Sequence, residues 1–294
     1  MSAARILVGT DGSPSSERAV RWAARTAADR AGELHIVHAL DLASAETVFG
    51  PFDLFIPPVT AALRERGARV LDAARRIAGD VEPRLRVETE LTDEGPAPAL
   101  IRRSESALMT VIGGAGARGD LPLHLGSTLL AVSAHGHGTV TVVDGDSAHT
   151  GPDDGPVVVG VDGSRFGRAA VEVAFLEAHR RQAPLVAVHC RTDLRFASLA
   201  GIATGFEDPA ARASAAAVQA DQLAEWSHTF PDVRVTQEVH RYGPAHHLLE
   251  WSRSAQLIVV GSRGRGGFRG LLLGSTSNTL VQHAHCAVMV VHPR

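Results

Sequence analysis

The chain of 294 residues is about twice the length of a common domain and carries a formal net charge of −3. Its 45% hydrophobic and 21% charged residues are typical of a globular protein, and the small net charge argues against nucleic acid or an anionic membrane as a partner. The chain has 29 arginines and no lysine. A P-loop, a protein kinase and a pyridoxal phosphate enzyme are therefore excluded, since each needs a lysine. Free cysteines at Cys190 and Cys286, with no signal-peptide or membrane-spanning pattern, predict a cytoplasmic protein.

Strands and helices are predicted to alternate along the first half of the sequence. Short apolar or alternating runs predict strands at Arg5–Thr10, Leu34–Leu40, Arg84–Leu91, Ala107–Ile112 and Thr139–Val143. Apolar residues at helical spacing predict helices at Ser13–Ala31, Val59–Ala78, Ala97–Ser104 and Ser127–Ala134.

The second half repeats this order. Strands are predicted at Val157–Val161, Leu185–His189, Val233–Val239, Leu257–Val260 and Ala287–Val291, and helices at Arg165–Arg181, Pro209–His228, Pro244–Arg253 and Ser275–His283. A stretch rich in Gly, Asp, Ser and Pro separates the halves, so we predict domains at 1–145 and 156–294 with a linker at 146–155. Alternating apolar strands and helices predict an α/β, Rossmann-like fold for each domain, with a parallel sheet covered on both faces.

A two-part glycine motif occurs in the same order in both halves of the chain. The first part reads VGTDGS at residues 8–13 and VGVDGS at residues 159–164. The second part reads GGAG at residues 113–116 and GSRG at residues 261–264, and after nine further residues comes Gly-Ser-Thr, at 126–128 and 274–276. Recurrence of both parts at a nearly constant offset indicates a duplicated domain with two copies of whatever site the glycines form.

Both parts of the motif follow predicted strands, the first and the fourth of each half. In an open parallel sheet, ligands bind beyond the carboxyl ends of the strands, where the strand order reverses. There Gly113 and Gly116 would let backbone N–H groups approach an anion, and residues 126–128 would open a helix whose N-terminus attracts phosphate. Asp11 would add an acceptor for ribose hydroxyls or a metal-bound phosphate. We interpret the motif as a nucleotide site built from backbone dipoles; the alternative is that its glycines only form tight turns.

In these residues the sequence resembles the universal stress protein family in its tandem two-domain form. The resemblance rests on Gly9, Asp11, Ser13 and Gly113-x2-Gly116-x9-Gly126-Ser127, on Gly160, Asp162, Ser164 and Gly261-x2-Gly264-x9-Gly274-Ser275, and on the endings Ser133-Ala134-His135 and His283-Ala284-His285-Cys286. It implies two adenine-nucleotide α-hydrolase-like domains, each with five strands in the order 3-2-1-4-5. It also implies ATP in each domain and pairing of domains through their last strands.

The resemblance further implies the roles of individual residues. The aspartate after the first strand would hold ribose, the residue after the second-strand histidine would meet adenine through its backbone, and the glycine loop and Gly-Ser turn would take the phosphates. The expected binding residues are Gly9, Thr10, Asp11, Ala39, Gly113, Gly116, Gly126, Ser127 and Thr128 in the first half, and Gly160, Val161, Asp162, Cys190, Gly261, Arg263, Gly264, Arg265, Gly274, Ser275 and Thr276 in the second. At the positions of Gly114 and Ala115 the family commonly has a hydroxyl-bearing residue and a basic residue. The first site is therefore expected to bind nucleotide less tightly than the second. Arginines at 263 and 265 suit phosphate oxygens, or else remain solvated.

We therefore expect an ATP-binding protein that senses or buffers adenine nucleotide in a stress or dormancy response. ATP is the expected cofactor, with Mg²⁺ or Mn²⁺ as an open choice, and the expected partners are a second copy in a homodimer and an unidentified protein. No catalytic residue is assigned, because no general base or arginine–magnesium arrangement supports more than slow hydrolysis. No metal ligand is assigned either, because no Cys or carboxylate completes a ligand set beside the histidine pairs.

Three other functions compete with this expectation. A scaffold that has lost nucleotide binding would act through protein contacts alone. An ATP pyrophosphatase or nucleotidyl transferase would need His-x-Gly-His or Ser-Gly-Gly-x-Asp-Ser after the first strand, and residues 10–13 match neither. A phospho-receiver module would need paired acids and a lysine.

Overall fold

The computed structural model describes residues 4–42, 56–114, 127–143, 155–190, 209–265 and 273–293. Its contacts divide the chain into two compact units, unit one at Met1–Gly145 and unit two at Asp146–Pro293. Most of the predicted linker, residues 146–154, lies outside the described residues.

Unit one alternates strands and helices throughout its described part. The elements are β1 Arg5–Gly9, α1 Pro14–Asp29, β2 Glu33–Ala39, α2 Ile56–Val81, β3 Arg86–Thr92, α3 Pro96–Ser104, β4 Met109–Gly113, α4 Ser127–His135 and β5 Thr139–Val143. All four strand pairings are parallel, and they give the order β3-β2-β1-β4-β5. The predicted α/β fold and strand order are confirmed for this unit.

Unit two repeats the same arrangement in its described residues. Its elements are β6 Val157–Val161, α5 Arg165–Arg180, β7 Leu185–Cys190, α6 Pro209–Thr229, β8 Val235–His240, α7 Pro244–Trp251, β9 Leu257–Gly261, α8 Ser275–His283 and β10 Ala287–Val291. Parallel pairings again give the corresponding order, β8-β7-β6-β9-β10.

Element limits differ from the predicted ones by up to three residues, and at β3 and β8 the local hydrogen bonds explain the difference. Both strands were predicted to begin two residues earlier, at Arg84 and Val233. In the structure the Leu85 N–H donates to Glu82 O at 3.1 Å, and the Val233 N–H donates to Phe230 O at 3.1 Å. These turns occupy the backbone groups that the predicted ladders would need, so pairing starts later.

The central strands explain the unbroken apolar runs in the sequence. Ile6, Leu7 and Val8 in β1 are at most 1% exposed, and residues 157–159 in β6 are fully buried. The outer strands β3 and β8 are only partly buried and carry alternating polar residues. Burial on both faces therefore fixes β1 and β6 at the middle of their sheets and brings their carboxyl ends beside those of β4 and β9.

Candidate functional site

The candidate site of each unit lies where the strand order reverses. In unit one this point is between β1 and β4, and in unit two it is between β6 and β9. Both halves of the glycine motif follow these neighbouring strands, so the fold brings them to the same edge of the sheet. This edge is where open α/β sheets bind ligands.

Asp11 occupies a tight turn between β1 and α1. Its Oδ1 accepts a 2.9 Å hydrogen bond from the Ser13 N–H, and Gly12 allows the turn with φ +80°. Ser13 in turn caps α1 by accepting from the Ser16 N–H. Burial acts to raise the pKa of the Asp11 carboxyl, but hydrogen bonds involving Ser13 and Ser16 outweigh burial and leave that pKa below its ordinary value. Asp11 is thus held as an ionised acceptor.

Asp162 connects the two parts of the motif in unit two. Its Oδ1 accepts from the Ser164 N–H at 2.9 Å, and its Oδ2 accepts from the Arg265 N–H at 3.1 Å. A Cβ on Gly264 would lie 2.8 Å from Oδ2, so a larger residue there would have to displace the Asp162 carboxylate. The carboxylate therefore fixes the glycine loop after β9 to the turn after β6. In unit one, the corresponding Gly116 and Gly126 lie outside the described residues.

Gly113 and Gly261 have a role that the sequence did not predict. A Cβ on Gly113 would lie 2.7 Å from the carbonyl carbon of Ser15, and one on Gly261 would lie 2.7 Å from that of Phe166. Their neighbours' N–H groups are also occupied, since Gly114 N donates to Val143 O and Ser262 N donates to Val291 O. These two glycines allow close packing of strand against helix.

The N-terminus of α8 faces the glycine loop with its backbone donors uncapped by a side chain. Gly274 is the N-cap, has no side-chain capping bond, and donates its own N–H to Ser262 O at 2.8 Å. The Ser277 hydroxyl donates to Gly261 O at 2.7 Å and holds the helix against β9. The first N–H groups of a helix have no intrahelical acceptor and carry a partial positive charge, so Ser275 and Thr276 present donors suited to an anion. In unit one α4 begins at the equivalent Ser127.

A family model described as "Universal stress protein family" matches residues 3–144 and 155–292. The chain belongs to the universal stress protein family. A universal stress protein of Mycolicibacterium smegmatis is 37% identical over 292 residues, covering 98% of this chain and 97% of its own length. One of Mycobacterium tuberculosis is 37% identical over 289 residues, covering 97% and 95%. A crystal structure of a universal stress protein from Archaeoglobus fulgidus superimposes with a TM-score of 0.69 at 19% identity, covering 98% of this chain and 97% of that one, which supports the fold.

In this universal stress protein, three side chains that the sequence analysis did not assign also shape the site. His38 and His189 are the next-to-last residues of β2 and β7, and their Nδ1 atoms bond Thr10 O at 2.7 Å and Val161 O at 2.6 Å. Since a carbonyl only accepts, each ring donates from Nδ1 and holds the backbone just before the aspartate. The signal that could have revealed them is in the sequence, since a histidine precedes Ala39 in the first half and Cys190 in the second. Gln222 of α6 accepts from the Gly163 N–H at 3.0 Å, and no sequence pattern pointed to it.

Three other residues predicted for the unit two site, Arg263, Arg265 and Cys190, lie in different surroundings. The guanidinium of Arg265 lies against Gly163, whose φ is +79°, so it covers the turn that carries Asp162. Arg263 lies 5.8 Å from the centroid of the Phe166 ring. Burial raises the pKa of the Cys190 thiol to about 11, which keeps it neutral. Among the described residues, no group of three His, Cys, Asp or Glu is arranged to hold a metal ion, and no described helix is long and apolar enough to cross a membrane.

Proposed function

We propose that this universal stress protein binds ATP in each unit and senses or buffers adenine nucleotide in a stress or dormancy response, with slow hydrolysis or none. The observation that carries the proposal is the bond from the Arg265 N–H to Asp162 Oδ2 at 3.1 Å. It joins an ionisable acceptor and a glycine loop at the edge where such sheets bind nucleotides.

Each part of ATP has a matching group at this edge. Asp11 and Asp162 would accept hydrogen bonds from ribose hydroxyls, and the backbone at Ala39 and Cys190 would meet adenine. The triphosphate would lie against the loop and the uncapped start of α8, where backbone N–H groups and the helix dipole favour negative charge. Arg263 and Arg265 would add cationic donors in unit two, in place of the lysine that this chain lacks.

The same geometry argues against rapid hydrolysis. Asp162 already accepts two backbone N–H bonds, so its oxygens are poorly placed to remove a proton from water. Fast phosphoryl transfer also needs charge-neutralising groups positioned on the transferred phosphate. Binding without rapid turnover suits a protein that reports nucleotide level.

The test is calorimetric titration of nucleotide-stripped protein with ATP and Mg²⁺. Asp11→Ala and Asp162→Ala remove the ribose acceptor of one unit each, and Asp80→Ala, on an exposed position of α2, is the control with the same charge change. We expect two sites in the unsubstituted protein and in Asp80→Ala, and one site in each of the other variants. The remaining site of Asp11→Ala is expected to be the tighter one.

A different result would point elsewhere. If the folded, unsubstituted protein takes up no ATP, the nucleotide proposal fails and a scaffold acting through protein contacts becomes the better explanation. If Asp162→Ala binds as the control does, the ribose assignment is wrong. Homodimer formation, a protein partner and a cytoplasmic location stay predictions.

A further inference from the structure

Unit two carries a cluster of titratable side chains outside the candidate nucleotide site. Glu238 and His240 lie on β8, and His246, His247 and Glu250 lie on α7. We call these five residues the histidine cluster. With Trp251 and Ser254, members of the cluster line a shallow concavity where the helix meets the outer strand.

The cluster connects β8 to α7 mainly through two stacked imidazoles. The rings of His240 and His247 are nearly parallel, 14° apart, with centroids 3.7 Å from each other. Glu238 Oε2 contacts His240 Nε2 at 3.1 Å and accepts from the Trp251 indole N–H at 3.1 Å. Glu250 lies 3.6 Å from His247 Nδ1. Stacking of two neutral rings is favourable, whereas two imidazolium ions at this separation repel each other.

Unit one has an ion pair at the corresponding junction. Its Glu90 corresponds to Glu238 and receives a 3.0 Å bond from Arg103 Nε, where unit two has Trp251. The position of His240 is taken by Thr92, as the strand registers show. Arginine stays protonated across the accessible pH range. Near neutral pH the junction between helix and strand is therefore held by an Arg103–Glu90 ion pair in unit one and by stacked histidine rings in unit two.

The helix that carries His247 also touches the candidate nucleotide site. Leu248, the next residue, is 1% exposed, and a Cβ built on Gly160 would lie 3.3 Å from its Cδ1. Gly160 precedes Val161 and Asp162 at the end of β6. In addition, α7 packs against α8, whose N-terminus faces the glycine loop. A change in the position of α7 would reach both sides of that site.

We propose that the histidine cluster holds α7 against β8 near neutral pH, weakens as the pH falls, and thereby weakens nucleotide binding beside Asp162. The effect on binding rests on the nucleotide function proposed above; the weakening of the helix–strand contact does not.

The charges around His247 give the direction of the effect. Burial and the neighbouring His240 and His246 lower the pKa of His247, and they outweigh Glu250 and Glu238, which raise it. Of the other elements packed on α7, β7 contributes His189 and Cys190 as titratable residues, α8 contributes His283, and β6 contributes none. Because folding favours the neutral ring, this stabilisation is complete above the ordinary histidine pKa of 6.5 and is lost as the pH falls below it.

The first measurement is the titration of the histidine rings by NMR on the full chain. Spectra of His240→Gln and His247→Gln assign the two resonances, and His228→Gln, at an exposed position of α6, is the matched control. We expect the two rings to titrate as a coupled pair, and the midpoint of His247 to rise when His240 is replaced. An ordinary His247 midpoint that His240→Gln leaves unchanged would overturn the proposal.

The second measurement connects the cluster to binding. ATP affinity is measured at pH 7.5 and pH 5.5 in Asp11→Ala, which retains the unit two site, and in the same protein with His240→Gln and His247→Gln. Couplings between sites commonly change affinity by about fivefold or more, so we expect at least that loss at the lower pH with the cluster intact. The nucleotide's own protonation affects both proteins equally, so the difference between them reports the cluster.

The outcomes separate the two proposals. If the ratio of ATP affinities at pH 7.5 and pH 5.5 is the same in the two proteins, the coupling between cluster and site is refuted. If neither protein binds ATP at pH 7.5, the proposed nucleotide function fails, and the NMR titration still decides whether the cluster is a coupled pair. If the rings titrate independently while ATP binds, the nucleotide function stands and the pH-sensitive contact is refuted.

Discussion

Replacing Gly261 with alanine tests the close approach between β9 and α5 that shapes the unit two site. A Cβ there would lie 2.7 Å from both the carbonyl carbon and oxygen of Phe166. These are backbone atoms in the first turn of α5, so no side-chain rotation relieves the contact and the helix or strand must shift. The shift would move the turn that carries Asp162 and Ser164, so stability and binding should change together.

The expected loss of stability follows from two opposing effects. Overpacking a well-packed site typically costs about 1–3 kcal/mol. Replacing glycine with alanine also lowers the conformational entropy of the unfolded chain, which stabilises the folded protein by about 0.4–1 kcal/mol. We therefore expect Gly261→Ala to destabilise the protein by about 1–2 kcal/mol. For a unit of this size, each kcal/mol corresponds to roughly 3 °C in Tm.

Urea unfolding followed by circular dichroism measures the effect, with Gly79→Ala as the matched control. Gly79 lies in α2, and a Cβ there would meet no atom within 4 Å. The control should gain about 0.5–1 kcal/mol, because glycine is unfavourable in a helix. If Gly261→Ala is as stable as Gly79→Ala, the close approach that we assign to β9 and α5 does not exist.

Two further predictions concern the junction between helix and sheet in each unit. Ser252→Ala removes a fully buried hydroxyl that accepts a 3.0 Å bond from the His285 N–H, and it should cost about 1–3 kcal/mol by thermal unfolding. Ser254→Ala, at an exposed position, should change stability by less than about 0.5 kcal/mol, and equal effects would contradict the burial argument. In unit one the hydrogen bond from Arg103 lowers the pKa of Glu90, so its stabilisation is present above the ordinary value of 4.5 and is lost as the pH falls through the lower folded value. Arg103→Gln should therefore flatten the fall of Tm in acid, and an unchanged pH profile would refute this role.

The alternation of apolar runs and helical periodicity was enough to predict the fold of each unit. Buried central strands must be apolar on both faces, so β1, β4, β6 and β9 stand out in the sequence without knowledge of their neighbours. The duplicated glycine motif also predicted the edge where the candidate site lies, because a parallel sheet puts the ends of adjacent strands together. Each of these features lies within a short segment of the chain, so it can be recognised from the sequence without knowing any contact between distant residues.

Contacts between distant segments could not be obtained in the same way. The bond from Arg265 to Asp162 joins residues 103 positions apart, and the bond from Gln222 to Gly163 comes from a helix with no motif of its own. Sequence analysis placed Gly113 and Gly261 in the nucleotide site, which stays a prediction; the structure adds that each leaves room for a helix backbone.

The histidine cluster shows the same division between sequence and structure. The sequence displays His246 and His247 as an adjacent pair, but only the packing of α7 on β8 places His247 at 3.7 Å from the ring of His240. By itself, then, the sequence determined the two α/β units and the sheet edge at which the glycine motif would act. The tertiary structure decided which side chains meet there, because the energy of such contacts depends on distances of a few ångströms between atoms far apart in the chain.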